Sequence, residues 1–512
     1  MKRLKKILLT GLACFLYVSG LLAGGIITNT NQSVHFLRNP ARGASLEIDA
    51  VHTNPAGLVR LPNNGFYFSL NNQTAFQTRT ITSTFAPFAG NGGSETKVFK
   101  GKTTAPSVPS LMGAYKNEKW VFSFSAGIIG GGGTLTFDQG LPSFESQIAA
   151  PIAQLSSAAN IPTTYSLNSQ IKGSSIIYGV QLGASYKVNE HISAYIGGRA
   201  NFVNNGYEGY LNNVDISAAS HLTTYFTTAA LTARGVASSL QPAIDGGMGG
   251  VPISALGLPA AQLSQMAAAL GIQESQLDAM SVSTVQSAFN SAAGQADGAA
   301  AGVAQLSSTN LELDSKQSGL GITPILGFNF NYEKLNIGIK YEFNTAVTVE
   351  NETVKDNTGM FADGVKTPYD IPAILALGVQ YEVAPGVNIS AGYHHFFDSN
   401  AKMQNDKQKN INGGLNEFLL GAEWQINKMF LISGGGLITR TGVTDNYQTD
   451  LSYSIHSYSV GFGGAINVSE SVRINLAYYF SNYADWTKVT DSGKDIFART
   501  NKAFGIGLDF RF

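Results

Sequence analysis

Phe504-Gly505-Ile506-Gly507-Leu508-Asp509-Phe510-Arg511-Phe512 closes the chain. Side chains alternate across an extended backbone, so Phe504, Ile506, Leu508 and Phe510 share one face of such a strand and Gly505, Gly507, Asp509 and Arg511 the other. Greasy residues opposite small and polar ones suit a strand with lipid outside and a wet or lined interior. The alternation recurs in Ile176, Tyr178, Val180, Leu182, Ala184 and Tyr186, in Val387, Ile389, Ala391, Tyr393, His395 and Phe397, and in Val472, Ile474, Leu476, Tyr478 and Phe480. Strands of soluble sandwiches also alternate, but they are typically about five or six residues long. These runs often exceed ten, as a tilted bilayer-crossing strand requires.

Composition agrees. Only 13% of the 512 residues are charged, 57 are Gly and 10% are aromatic. Beyond the N-terminus there is no run of about 18 apolar residues that could cross as a helix. A membrane protein without spanning helices must be a closed barrel, because every backbone amide in the bilayer needs a partner.

Residues 1–23 read as a secretory signal peptide: Lys2, Arg3, Lys5 and Lys6 begin it, Ile7 to Leu22 is apolar, and Leu21-Leu22-Ala23 forms an imperfect cleavage site. Gly11, Ser19 and Gly20 interrupt the stretch, which argues against a spanning anchor. Cleavage removes four of the 33 Lys+Arg and none of the 34 Asp+Glu, leaving a mature net charge of −5 and no reason to expect a nucleic-acid partner. Cys14, the only cysteine, lies inside the signal, so no thiol or disulfide is expected in the mature chain. Gly11-Leu12-Ala13-Cys14 approaches a lipidation site, but its leucine is one place out and apolar residues continue past the cysteine.

Turn signals count the strands. Short polar connections fall near residues 116–118, 189–191, 332–334, 384–386, 426–428 and 468–470; long ones fall near 87–96, 138–165, 220–308, 354–370, 400–413, 441–450 and 488–498. Strict alternation of six short and seven long connections predicts an all-β fold, a 14-stranded antiparallel transmembrane β-barrel over residues 65–512 with periplasmic turns and external loops. Both chain ends then lie on the periplasmic side.

Residues 24–64 break the pattern, with a period of neither two nor 3.6. Asn54-Pro55-Ala56-Gly57 punctuates them as a compact turn, and Arg38, Arg42 and Arg60 are mixed with Glu47, Asp49 and His52. This composition suits a plug, or hatch, held by polar contacts inside the barrel. Two external loops carry helical patterns. One has Leu141, Phe144, Ile148, Ile152 and Leu155, interrupted at Pro151; the other, the Ala-rich insertion 220–308, has Leu263, Met266 and Leu270 before Gly271, then faces around Leu277 and Met280 and around Val285 and Phe289. These faces either pack on one another or leave a greasy groove that first catches hydrophobic molecules. Gly130-Gly131-Gly132-Gly133 falls in the third strand, where such a run marks a bulge, bend or break, and hence a gap toward lipid, or else makes room for a close neighbour.

Together the signal, the hatch with Asn54-Pro55-Ala56-Gly57, the fourteen strands and the terminal Phe512 resemble the FadL/TodX family of outer-membrane transport proteins. The resemblance implies passive uptake of long-chain fatty acids or other hydrophobic compounds across the outer membrane of a Gram-negative bacterium. It further implies capture at external loops, passage to a pocket inside the barrel, and sideways exit into outer-membrane lipid where the third strand kinks, which Gly130 to Gly133 would match. Phe512 resembles the C-terminal signature read by the barrel assembly machinery, and a plugged single-chain barrel is expected to be a monomer. Arg38, Arg42, Arg60 and Arg199 are the candidate partners of a cargo carboxylate, or else form structural salt bridges. Neither cofactor nor metal is expected, since the glycine runs lack a phosphate-loop Lys-Ser/Thr and the histidines show no ligand spacing. An enzyme is disfavoured: no Gly-x-Ser-x-Gly occurs, and adjacent His394 and His395 point to opposite faces. The alternatives are a polar-solute channel and a surface adhesin or structural barrel.

Overall fold

The computed structural model describes residues 28–512. The signal peptide reading of residues 1–23, with Cys14, lies outside the described residues. Seventeen strand segments form one sheet that closes on itself. In chain order they are β1 (Gly65–Phe85), β2 (Thr96–Asn117), β3 (Trp120–Phe137), β4 (Tyr165–Lys187), β5 (Ile192–Ile216), β6 (Leu311–Tyr332), β7 (Leu335–Glu342), β8 (Thr348–Asp356), β9 (Lys366–Pro368), β10 (Ile374–Ala384), β11 (Val387–Phe396), β12 (Leu415–Gln425), β13 (Phe430–Arg440), β14 (Ser457–Asn467), β15 (Val472–Tyr483), β16 (Trp486–Thr490) and β17 (Gly493–Arg511). β7 with β8, β9 with β10, and β15 with β16 are single wall strands interrupted partway, so the wall has fourteen strands, all antiparallel. β1 and β17 close it from Tyr67↔Arg511 to Phe85↔Gly493.

Outward residues of β17 such as Phe504 and Ile506 are about half exposed, while Gly505, Gly507 and Asp509 face the lumen. β5 runs 25 residues, far more than the ~9–11 that cross a bilayer, so the wall extends well past that span at the end that carries the long loops. One expected loop is absent. Residues 488–498 do not form a long connection: Trp486↔Phe497 to Thr490↔Gly493 continue the ladder, leaving Asp491 and Ser492 as the turn. The charges and Ser-Gly there read as loop because they sit on strand ends that stand in water.

The external loops pack into an apolar roof that includes Ile81, Phe88, Phe137, Leu141, Ile148, Ile152, Tyr453 and Phe497. In the insertion, the helix Ala219–Ser239 lies along Val282–Ser307, and Leu222, Phe226, Val303 and Leu306 join this roof. Farther out, Leu240, Ile253, Leu263, Met266, Leu270, Leu277, Val285 and Phe289 form a core of their own. Residues 28–61 are threaded through the lumen as three short helical pieces, Val34–Arg38, Ala50–Thr53 and Pro55–Arg60.

Candidate functional site

The Asn54-Pro55-Ala56-Gly57 turn is where the hatch meets the wall. Asn54 Nδ2 donates to the Ser45 carbonyl at 3.0 Å and to Asn329 Oδ1 on β6 at 2.7 Å. Pro55 starts a 3-10 helix, a position where a missing N–H costs nothing. Ser185 on β4 donates to the Pro55 carbonyl and Ser193 on β5 to that of Ala56, both at 2.7 Å. A Cβ at Gly57 would lie 2.4 Å from Asn54 Nδ2, so the asparagine's reach requires glycine there. Lumenal glycines of the wall receive the hatch in the same way: a Cβ on Gly378 would fall 2.1 Å from the Gly43 carbonyl carbon, and one on Gly338 would fall 2.2 Å from the Gly43 oxygen.

The hatch arginines are spent within the hatch or on the wall that holds it. Arg42 grips Asp49 with two bonds of 2.7 Å and donates to Glu47 and Ser45, also at 2.7 Å. Fully buried Arg38 pairs with Glu423 of β12 and donates to Ser433 Oγ of β13 at 2.8 Å. Arg473 of β15 pairs with Glu47, and His35 Nε2 lies 3.0 Å from Asp509. Burial alone would raise the Asp49 and Glu47 carboxyls, but the facing arginines hold both below the usual range, Glu47 far below. His35, Glu47 and Asp49 approach within 4.8 Å of one another, yet the arginines and Asp509 occupy them, so the group reads as an ionic lock rather than a metal centre. Arg60 instead reaches the Glu190 carbonyl on the short β4–β5 turn.

Above the hatch lies a small polar cavity lined by Thr28 to Thr30, Arg42, Gly43, His52, Ile129, Arg199, Lys340, Glu342 and His394 among others. Glu342 accepts from both Arg199 and Lys340, the latter at 2.7 Å, and Lys340 also donates to the His52 carbonyl at 2.6 Å. Two cations thus share one carboxylate, leaving a surplus positive charge on the cavity wall. Of the four arginines singled out in the sequence, Arg199 and Arg42 line this cavity, and Arg199 belongs to the cationic pair. Lys340 and Glu342 were missed, although Lys-x-Glu at alternate positions of a strand puts both on one face. His394 faces inward to Glu417 at 2.8 Å and His395 outward to Asn416, as alternation requires.

Gly130 to Gly133 lie at a break in the wall. β2 and β3 pair from Asn117↔Trp120 to Ser110↔Gly127 and then not again until Lys102↔Thr136. Residues 103–109 and 128–135 are therefore unpaired with each other. Pro106 and Pro109 have no N–H to offer from β2. On β3, Gly131 and Gly133 take φ of +89° and +71°, which side chains disfavour, and the strand bulges against β4 between Ile128 and Gly130 and again between Gly131 and Gly133. The start of the hatch fills in for the lost neighbour: Thr28 bridges Gly130, Asn29 N–H donates to the Ile129 carbonyl at 2.8 Å, Asn29 Nδ2 to that of Gly131 at 3.0 Å, and Gln32 Nε2 to that of Ile128 at 2.9 Å.

The apolar loop residues do not make one groove. Leu141, Ile148 and Ile152, with Phe144 and Leu155 partly exposed beside them, belong to the roof, whereas Leu263, Met266 and Leu270 are buried in the separate outer core. The helices turn their greasy faces toward one another.

No family model and no curated protein matches the sequence. Among solved structures, a Pseudomonas aeruginosa FadL homologue is similar at TM-score 0.57 and 12% identity, over 96% of this chain and 100% of that one. A TodX variant described as a monoaromatic hydrocarbon channel is similar at TM-score 0.52 and 13% identity, over 95% and 100%. The chain shares the closed-barrel fold of the FadL homologue and of the TodX channel.

Proposed function

We propose that this protein carries long-chain fatty acids, or closely related hydrophobic amphiphiles, passively across the outer membrane, releasing them sideways between β2 and β3. The observation that carries the reading is the unpaired stretch of wall beside a lumen that the hatch obstructs along its axis. A fatty chain leaving through the wall stays in apolar surroundings, at about 0.8 kcal/mol per methylene kept from water. No energy source beyond the concentration gradient is called for. The FadL homologue and the hydrocarbon channel TodX that share the fold support hydrophobic cargo in general. The surplus positive charge of the Arg199 and Lys340 pair favours cargo with an anionic head over a neutral hydrocarbon.

The test is uptake of a labelled long-chain fatty acid by cells expressing the intact protein, beside two wall variants. In one, Gly130 to Gly133 are replaced by Val and Thr; in the other, Pro106→Thr and Pro109→Thr return N–H donors to β2. Uptake by the intact protein, lost in either variant whose barrel still migrates as folded on an unheated gel, supports sideways release. Undiminished uptake through a sealed, folded wall rejects it. Uptake of toluene but not of fatty acid would keep the route and change the cargo. A polar-solute channel would instead conduct ions steadily in planar bilayers.

A further inference from the structure

Two arginines in the upper lumen are not used by the hatch or the cavity. Arg79 of β1 and Arg499 of β17 stand directly opposite each other across the antiparallel pair and both face inward. Like charges in such a pair repel and destabilise a sheet. Neither has a carboxylate within salt-bridge distance among the described residues. Arg79 Nε donates only to Gln77 Oε1, at 3.0 Å, and Arg499 Nε is buried without a partner. The titratable groups around Arg79 are Arg499 and the tyrosines Tyr453, Tyr483 and Tyr447. The guanidinium carbons sit 5.3 Å from the Tyr453 ring centre for Arg79 and 4.8 Å from that of Tyr483 for Arg499. Tyrosine faces hold such cations in place without neutralising them.

Position gives the pair a use. Ile81 and Phe497, two residues farther out on the same strands, are fully buried in the roof, so the pair lies just beneath it. A Cβ on Gly132 would be 3.9 Å from Arg79 Nη2, which puts that guanidinium at the inner lip of the unpaired stretch. From these contacts we infer that Arg79 and Arg499 form an anion site that holds the carboxylate of an amphiphile while its apolar tail lies toward the gap between β2 and β3. One carboxylate between two guanidiniums satisfies donors now without acceptors and removes their mutual repulsion. The site is distinct from the Arg199 and Lys340 pair, which already share Glu342. It deepens the transport reading and rests on it.

The experiment is calorimetric titration of the purified full-length barrel with dodecanoate and with 1-dodecanol, which share a tail and differ in charge. The intact protein is expected to bind dodecanoate roughly tenfold or more tightly than dodecanol, the scale of one charge-assisted hydrogen bond. Arg79→Gln and Arg499→Gln should each weaken dodecanoate roughly tenfold and leave dodecanol within about twofold. Arg79→Lys, which keeps the charge, should restore most of the loss. Because each Gln variant relieves repulsion, its ligand-free barrel should melt no lower than the intact one, which separates a lost site from a lost fold. Unchanged dodecanoate binding in both Gln variants, or equal losses for the two ligands, overturns the anion site. Equal binding of both ligands by the intact protein overturns it and leaves hydrophobic transport standing; binding of neither overturns both.

Discussion

Replacing Asp49 by Asn should loosen the hatch without opening the wall. Asp49 is wholly buried and takes two of the bonds of Arg42, which is itself about 5% exposed. Breaking one side of a buried ion pair costs about 3–5 kcal/mol, because the remaining charge is left uncompensated. Arg42 would keep Glu47 at 2.7 Å and Glu423 at 3.4 Å, so the low end, about 3 kcal/mol, applies. That is roughly a hundredfold increase in the open population of the hatch. The rest of the hatch stays anchored by Asn54 and the glycine contacts, so the segment opens more often rather than leaving. Hydrogen exchange at the amides of residues 50–61 is the direct assay, since exchange through local opening reads this free energy. Those amides should exchange roughly a hundredfold faster than in the intact protein, with β4, β5 and β6 unchanged. Hatch exchange within about threefold of the intact protein would refute the lock as the main restraint. Slower folding or lower melting of the whole barrel would refute its independence from the wall.

Three further outcomes follow from the same geometry. Gly378→Val, whose Cβ would meet the Gly43 backbone at 2.1 Å, should displace the hatch at a cost of about 1–3 kcal/mol and raise single-channel conductance; unaltered conductance counts against the close seat. Asp398, buried in the external loop after β11, is pushed up to about 7, first by desolvation and then by Glu417, against the Leu415 N–H that favours its charge. A raised carboxyl destabilises once ionised, so its stability is lost as pH climbs from ~4 through 7, by up to about 4 kcal/mol. Asp398→Asn should therefore flatten the fall in melting temperature between pH 5 and 8, and an unchanged slope would reject the assignment. Excising residues 240–281 and rejoining the two long helices should leave barrel melting unaltered, because the outer core is separate from the roof, whereas Phe226→Ala should cost about 3–5 kcal/mol in the roof; failure of the excised chain to assemble would show that the two cores are coupled.

The wall was legible because lipid outside and water or hatch inside impose a period of two, and because Lys116-Asn117-Glu118 or Ala384-Pro385-Gly386 interrupt it sharply. The hatch was legible by contrast, since residues surrounded by wall on every side need no period. What stayed hidden depends on register. Nothing local to Arg79 or Arg499 announces that closure of the sheet sets them opposite each other. Likewise Arg38 meets Glu423, and Glu47 meets Arg473, across hundreds of residues. The glycine run was visible, but nothing local to Pro106 and Pro109 announces that they lie on β2 opposite it across the unpaired stretch. The proposed loop groove failed because an amphipathic helix shows that it has a greasy face, not what covers it.

The hatch has two attachments of very different strength, and their inequality decides which route a cargo would open. Clearing the axis means separating Arg38 and Arg42 from Glu423 and Glu47 from Arg473; the buried Arg38 pair alone is worth about 3–5 kcal/mol, and the Asn54, Ser185 and Ser193 bonds come on top of it. Freeing the stretch at Ile128 to Gly131 means releasing a few hydrogen bonds from Asn29 and Gln32, each about 0.5–1.5 kcal/mol. The proposed lateral path is therefore the cheaper one, and it needs only the segment before the Val34–Arg38 helix to move. Asn29→Ala with Gln32→Ala removes the side-chain bonds and leaves the Asn29 N–H to the Ile129 carbonyl. Amides of residues 128–133 should then exchange on the order of tenfold faster, with residues 42–57 unchanged. Fatty acid uptake should rise or hold. Equal loosening of residues 42–57 would mean that the two attachments open together, and the case for a sideways route with the lock intact would fail.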